Sequence, residues 1–221
     1  FTPGGVLTGM SGGGVALAEG AVTDSLVWGK EGLFLTAVFC ILVGFGAKAG
    51  MFPLHGWLPT AHPVAPAPAS AVLSGVITKS GVLAVLRVVY FVVGPEVLRG
   101  TWVQQVWILL TLLTVFMGSM LAYKEPLLKK RLAYSTVSQV SYVLFGLSML
   151  QPQAFVGALS HVVFHSLIKN ALFLCAGAVI MMTGKTQVKD MRGLGRRMPV
   201  LLGCYTVVSL ALVGIPPASG F

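Results

Sequence analysis

Charged residues are scarce in this sequence of 221 residues. They make up 10% of the chain, whereas hydrophobic residues make up 56%. A soluble domain has about 25% charged residues, because its surface has to be solvated by water. The mean hydropathy of +0.88 also indicates a predominantly apolar chain. The composition therefore excludes an ordinary soluble protein and predicts an integral membrane protein.

Cysteine is also rare, and its three copies are isolated from one another. Cys40, Cys175 and Cys204 each lie in an apolar stretch, where a thiol usually behaves as a small hydrophobic side chain. The sequence contains no CxxC pair and no ferredoxin-like spacing, so structural zinc and iron–sulfur clusters are not expected. We therefore expect no cofactor in this chain and no redox or hydrolytic site of its own.

Acidic residues number only six, and all of them lie outside the long apolar runs or at their edges. A helix needs about 20 apolar residues to cross a bilayer. Runs that are apolar on all sides favour helices over the alternating strands of a barrel. We predict an all-α fold, a polytopic transmembrane helical bundle. The six candidate spans are residues 33–52, 69–93, 102–123, 132–150, 158–182 and 200–221.

Residues 1–30 differ in composition from the rest of the chain. They are rich in glycine and contain Glu19 and Asp24, so we predict a loop or partial helix outside the membrane core. Residues 31–221 are predicted to form the transmembrane domain. The sequence starts without methionine and ends inside an apolar run, so we expect it to be a fragment of a longer subunit.

Basic residues are concentrated in alternate loops. Residues 124–131 contain four and residues 185–197 contain five, whereas Lys30 and Arg99 are the two on the opposite side. The tendency of Lys and Arg to stay in cytoplasmic loops predicts that both basic loops face the cytoplasm. This bias also accounts for the formal net charge of +9. Basic residues are not interleaved with aromatic ones, so the bilayer is expected as a partner and nucleic acid is not.

Basic side chains inside the apolar runs are the unusual feature of the sequence. A charge at the bilayer centre costs about 2.5 to 3.5 kcal/mol unless it faces protein or water. Long side chains near the end of a run can extend to the interface, which is the favoured interpretation for Arg87. Lys79 is too deep in its run for that explanation, while position alone leaves both explanations open for Lys48.

The residues around Lys48 predict an interrupted helix. Gly46, Gly50 and Pro53 disfavour a continuous helix at this point. Interrupted helices at membrane depth occur where the backbone lines a cavity or an ion path, because the freed carbonyl and amide groups need polar partners. The local sequence therefore favours a role for Lys48 in ion movement.

His161, His165 and Lys169 recur every four residues, which places them on one face of a helix. Such a row can transfer protons along a hydrated path. A metal site is a weaker alternative, because the HVVFH stretch lacks the glutamate of HExxH and a cation follows it. Histidines that only form hydrogen bonds between helices remain a third interpretation.

Three stretches resemble a known family: KAGMFPLHGWLPTAHPVAPAPASAVLSGVITKSGVLAVLRVV, KKRLAYSTVSQVSYVLFGLSML and HVVFHSLIKNALFLCAGAVI. They are similar to the antiporter-like, proton-conducting subunits of respiratory complex I, multisubunit Na+/H+ antiporters and energy-converting membrane hydrogenases. The resemblance implies inverted repeats of helices, each with a broken helix, and a hydrated row of charged groups across the membrane centre.

The resemblance also implies roles for individual residues. Lys48 and Lys79 match the family's proton-carrying lysines, and the row of three from His161 to Lys169 matches its connecting relay. Pro216 and Pro217 match the start of a second broken helix. We therefore expect a proton relay formed by Lys48, Lys79, His161, His165 and Lys169.

The expected function is that of a proton-translocating subunit within a multisubunit membrane complex. Other membrane subunits and the bilayer are the expected partners, with protons, or alternatively Na+, as the transported ion. A prokaryotic inner membrane is the expected location, with an energy-transducing organelle membrane as the alternative. Three other interpretations stay open: a Na+-translocating subunit, a structural subunit that conducts no ions, and a quinone-reactive subunit.

Overall fold

The computed structural model describes residues 31–215, and they are predominantly helical. Seven main helices occur in this range: α1 (Glu31–Ala49), α2 (Trp57–Val64), α3 (Ala67–Val93), α4 (Trp102–Lys124), α5 (Leu128–Ser148), α6 (Pro152–Thr183) and α7 (Pro199–Val213). Short helical turns cover Pro95–Leu98, Val188–Met191 and Leu194–Arg196. No strand is present between residues 31 and 215, where two residues form an isolated bridge. The predicted all-α fold is confirmed.

Each of the six predicted spans overlaps a helix within residues 31–215. Four helices are long and apolar enough to cross a membrane, namely α1 from Gly32 onward, α3, α4 and α6. Helix α5 has 21 residues but carries three consecutive cations in its first turn, after Leu128, and α7 has 15 residues in the described range. Helix α6 begins at Pro152 rather than at residue 158, because proline suits the first turn of a helix. The predicted loop at residues 1–30, together with Pro216 and Pro217, lies outside the described residues.

The structure shows the expected interruption after the first span. Helix α1 ends at Ala49, and Gly50 has a φ of 93°, in the left-handed region that favours glycine. The Met51 amide donates a hydrogen bond of 2.8 Å to the Gly46 carbonyl, which closes the end of the helix. Pro53 lies in the segment that leads to α2. The broken helix is thus formed by α1, this segment and α2.

Side chains from outside the break satisfy its backbone groups. The Phe52 amide donates to the Thr114 hydroxyl on α4 at 2.9 Å. The Trp57 indole donates to the Ala47 carbonyl at 2.9 Å, so the start of α2 is tied to the end of α1. Unpaired backbone groups are costly at membrane depth, and these two bonds reduce that cost.

A close contact between α1 and α3 fixes the depth of Lys48. At Gly81 a Cβ atom would come within 2.8 Å of both the Phe45 carbonyl oxygen and the Ala49 amide nitrogen. Only a glycine allows this approach without displacement of backbone. Gly81 is near the middle of the 27-residue span α3 and two residues from Lys79. The end of α1, with Lys48, therefore lies at the level of the middle of α3.

The two basic loops lie at the same end of the bundle, as predicted. Leu127 and Gln187 form an antiparallel bridge that joins the loop before α5 to the loop after α6. At the other end, a nitrogen of the Arg99 guanidinium donates to the Leu150 carbonyl at 2.8 Å. The nine cations of residues 124–131 and 185–197 thus share one side, while their cytoplasmic location stays a prediction.

We expect Gly81→Ala to destabilise the bundle by about 1–3 kcal/mol, because the added methyl group meets backbone atoms that cannot rotate away. The measurement is the melting temperature of the detergent-solubilised full-length subunit. Gly44→Ala is the matched control on α1, since nothing among the described residues lies within 4 Å of its added Cβ. Equal melting temperatures for the two variants would contradict the close contact.

Candidate functional site

Buried polar side chains form a layer between two apolar clusters of the bundle. One cluster includes Val82, Val85, Trp107, Val140 and Leu144. The other includes Ala71, Leu132, Leu172 and Phe173. We call this the polar layer, and it consists of Ser74, Thr78, Lys79, Thr136, Ser138, His165 and Lys169, all of them buried. It is contributed by α3, α5 and α6, and its apolar neighbours shield it from bulk water.

A π-helical turn in α3 provides an acceptor for Lys79. In the turn Leu73–Ile77 the Thr78 amide donates to Leu73, five residues earlier, instead of to the Ser74 carbonyl. The Ser74 carbonyl therefore accepts hydrogen bonds from the Thr78 hydroxyl, at 3.0 Å, and from the Lys79 ammonium. Lys79 is only 5% exposed, so this carbonyl takes the place of water for the charged group.

Polar contacts lead from this lysine to a second buried lysine on α6, and they pass from the backbone carbonyl of Ser74 to its hydroxyl. The Ser74 and Thr136 hydroxyl oxygens are 2.7 Å apart, and the Thr136 hydroxyl donates to the Leu132 carbonyl at 3.0 Å. The Lys169 ammonium donates to the same Leu132 carbonyl at 3.1 Å. It also donates to the Ser135 hydroxyl. A chain of polar contacts thus connects Lys79 with Lys169, which is 0% exposed.

The two predicted histidines of α6 lie next to this chain. The His161 and His165 rings are stacked, with centroids 5.8 Å apart and an interplanar angle of 15°. His161 Nε2 is 2.8 Å from the Gln139 side-chain oxygen on α5. His165 is 1% exposed, and neither of its ring nitrogens has a hydrogen-bond partner among the described residues. Buried nitrogens of this kind are usually satisfied by ordered water.

The chain of contacts can hold charges but cannot by itself conduct a proton. The Ser74 and Leu132 carbonyls only accept hydrogen bonds, whereas hydroxyl and imidazole groups both donate and accept them. Transfer between Lys79 and Lys169 therefore requires groups that do both. The imidazole of His165, one helical turn before Lys169, is such a group. The Ser141 hydroxyl on α5 is likewise buried without a partner in the described range.

The predicted relay residues fall into two groups. Lys79, His161, His165 and Lys169 are brought together at the interface of α3, α5 and α6. Lys48 stands apart, because its side chain is exposed and forms no hydrogen bond or ion pair with another residue in 31–215. Its depth matches that of Lys79, but no hydrogen bond among the described residues connects Lys48 with Lys79.

Sequence reasoning missed the partners that hold these groups. Ser74, Ser135, Thr136 and Gln139 were not singled out, although the high polar content of α5 for a membrane helix was a usable signal. His62 was also missed. It is 0% exposed, and its ring stacks on a phenylalanine of α6, Phe173, at a centroid distance of 4.6 Å and an angle of 12°. Neither nitrogen of His62 has a partner among the residues described.

Three other serine hydroxyls take no part in the chain of contacts from Lys79 to Lys169. Ser138 lies 2.8 Å from the Ser119 hydroxyl, and Ser166 donates to the Val162 carbonyl of its own helix. Ser160 is exposed, so it does not face the polar layer. Within the described residues, no group of three or more His, Cys, Asp or Glu side chains is arranged to hold a metal ion.

Comparison with known proteins gives a family for these features. Residues 15–221 match the family model described as "NADH:quinone oxidoreductase/Mrp antiporter, TM". The chain is 37% identical to NADH-quinone oxidoreductase subunit N of Desulforudis audaxviator, over 95% of this chain and 41% of that protein. It is 39% identical to hydrogenase-4 component B of Escherichia coli, over 86% of this chain and 29% of that protein.

A solved structure shares the fold. The chain resembles a subunit in the structure of the Mrp complex from Dietzia sp. DQ12-45-1b, with a TM-score of 0.79 and 28% identity. The match covers 84% of this chain and 34% of that one, and the chain likewise spans less than half the length of the curated relatives above. The apolar spans and the family make it an integral membrane protein. The chain belongs to the transmembrane family of NADH:quinone oxidoreductase and Mrp antiporter subunits.

Proposed function

We propose that this chain forms a proton-translocating part of an antiporter-like subunit, and that protons move through the polar layer. The observation that supports this most directly is the chain of contacts from Lys79 through Ser74, Thr136 and the Leu132 carbonyl to Lys169. It places two ionisable groups from different helices at the centre of an apolar bundle. Intramembrane ionisable groups of this kind mark ion paths.

The chemistry of the side chains suits protons. Lysine and histidine can each gain and lose a proton when their surroundings change. Two such groups are adjacent in the stacked pair of His161 and His165, and His165 is one helical turn from Lys169. Water at the unpaired nitrogens of His165 would complete the path past the carbonyls, which cannot pass a proton on.

We assign Lys48 to the same proton path. Its side chain lies on the surface of the described bundle, so it contributes to the path from there. Its exposed ammonium lies at a broken helix and at the depth of Lys79. An exposed ammonium at this depth needs a polar or acidic partner. That partner would come from residues outside 31–215 or from another membrane subunit.

The driving reaction is assigned to other subunits. The relatives are named as a subunit of NADH-quinone oxidoreductase and a component of hydrogenase-4, and the structural match belongs to the Mrp complex. We infer that this chain likewise works within a multisubunit membrane complex and holds no cofactor itself. Electron transfer or ion exchange in the complex would then change the protonation of the polar layer by electrostatic coupling. Sodium is disfavoured as the ion, because the described spans offer no carboxylate ligands in the polar layer.

We expect Lys79→Met to abolish most proton uptake, because methionine fills the same space but cannot hold a proton. The measurement is acidification of inverted membrane vesicles that contain the full-length subunit in its complex, with a native gel to check assembly. Arg87→Met is the matched control, since it removes an exposed cation from the same helix α3.

Three outcomes of this experiment are informative. Loss of uptake in Lys79→Met alone, with normal assembly, supports the proposal. Normal uptake in Lys79→Met would reject the polar layer as the path and leave a structural subunit. Uptake of 22Na+ instead of protons by the wild type, lost in the same variant, would identify a sodium-translocating subunit.

We expect Thr136→Val to slow proton uptake about five- to 150-fold, the range for loss of two hydrogen bonds of about 0.5–1.5 kcal/mol each. Valine keeps the shape of threonine but breaks the link between Ser74 and the Leu132 carbonyl. The control is Thr111→Val, since Thr111 is equally buried and donates to the Ile108 carbonyl of its own helix. The rate of acidification in the same vesicles is the readout. Equal rates in the two variants would show that this link does not serve transport.

A further inference from the structure

A basic cleft lies where the two charged loops meet, away from the polar layer. It has a volume of about 670 Å³, and its lining residues are Tyr123, Lys124, Pro126, Arg131, Val188, Lys189 and Arg192. Four of these seven are cations and none is acidic. The proton path proposed above uses none of them. The basic cleft therefore needs an explanation of its own.

Backbone contacts hold the walls of the basic cleft together. The Val188 amide donates to the Pro126 carbonyl at 3.0 Å, which fixes the loop after α6 against the loop before α5. Arg131 Nε donates to the Glu125 carbonyl at 3.0 Å, so this guanidinium is anchored at the end of α4. Like charges are thus kept close despite their repulsion. Such an arrangement favours an anion that neutralises them.

Protein carboxylates do not provide that anion. Lys124, Lys189 and Arg192 make no ion pair or side-chain hydrogen bond with other residues in the described ranges. The carboxylate of Glu125 is engaged by Lys130 at 3.0 Å and lies outside the lining. Asp190 follows Lys189 in sequence but is likewise absent from the lining. Three cations are therefore available to a ligand.

An apolar stripe on α4 leads to the basic cleft. Its exposed residues recur at helical spacing and fall within about 100° of the helix circumference. They are Leu109, Leu112, Leu113, Phe116, Met120 and Tyr123. Tyr123 is 81% exposed and belongs to both the stripe and the cleft lining. Apolar surface and positive charge thus meet at one residue.

The position of Tyr123 along α4 corresponds to the lipid headgroup level. Trp102, at the other end of α4, is exposed within the angular range of the same stripe, about 60° around the helix from Tyr123. The two aromatic residues are 21 positions apart, or about 32 Å of helix, which matches the hydrocarbon thickness of about 30 Å. Tyr and Trp are enriched at the two membrane interfaces. The basic cleft therefore opens where phospholipid phosphates lie.

We propose that the basic cleft binds the headgroup of an anionic phospholipid, whose acyl chains lie along the apolar stripe of α4. Lys124, Lys189 and Arg192 contact the phosphate and any second anionic group, and the anchored Arg131 forms the base. Tyr123 packs at the boundary between headgroup and chain. Charge complementarity selects an anionic lipid over a zwitterionic one, because the cleft presents no carboxylate to a choline group.

The test is a titration of the purified full-length subunit in detergent, with lipid retention measured by native mass spectrometry. The probes are dioleoylphosphatidylglycerol and dioleoylphosphatidylcholine, which have the same chains. We expect phosphatidylglycerol to bind at least tenfold more tightly to the wild type. The combined change Lys124→Gln and Arg192→Gln should weaken that binding about tenfold or more.

The matched control combines Arg196→Gln and Arg197→Gln, which removes the same charge from exposed residues of the same loop outside the cleft. It should keep the affinity of the wild type. Glycerophosphoglycerol, the headgroup without acyl chains, should compete poorly if the chains lie along α4.

Four outcomes would overturn the proposal. The first is equal affinity of the wild type for the two lipids, and the second is equal weakening of phosphatidylglycerol binding in the control variant. The third is displacement of the lipid by inorganic phosphate at equal concentration, and this outcome would identify a site for free anions. The fourth is release of a neighbouring subunit on a native gel by the cleft variant with lipid retention unchanged, which would identify the cleft as a protein interface.

Discussion

The need to provide oxygen acceptors for buried ammonium groups determines much of this structure. Lys79 and Lys169 are almost fully buried, and each uses a backbone carbonyl in place of water. On α3 that carbonyl is available because a π-helical turn leaves Ser74 without its usual amide partner. On α5 the Leu132 carbonyl serves both Lys169 and Thr136. The helix geometry at Ser74 and the backbone carbonyl of Leu132 thus determine where the two lysine charges can be placed.

Much of the fold could be predicted from the sequence, because its causes are local. Apolar runs of sufficient length predict helices, and Gly50 with Pro53 predicted the interruption after α1. The spacing of His161, His165 and Lys169 placed them on one face of α6, and the cost of burying charge implied that this face looks inward. The structure agrees on these points.

The partners of these groups could not be predicted in the same way, because they come from other helices. Nothing local pairs Ser74 with Thr136, which is 62 residues away, or Gln139 with His161. The π-helical turn Leu73–Ile77 was not predicted either, because no residue type specifies such a turn. The environment of Lys48 could not be predicted either. The residues described around it leave its side chain exposed, so they do not include its partner.

Helix α6 has 32 residues and is therefore about 48 Å long, well beyond a hydrocarbon core of about 30 Å. Even a tilt of about 40° leaves it longer than that core, so at least one end must emerge from the hydrocarbon. The row from His161 to Lys169 lies close to the midpoint of α6, so with that midpoint at the bilayer centre the row stays in the hydrocarbon at any such tilt. Hydrophobic mismatch is thus absorbed at the helix ends, and the depth of the titratable row is insensitive to membrane thickness.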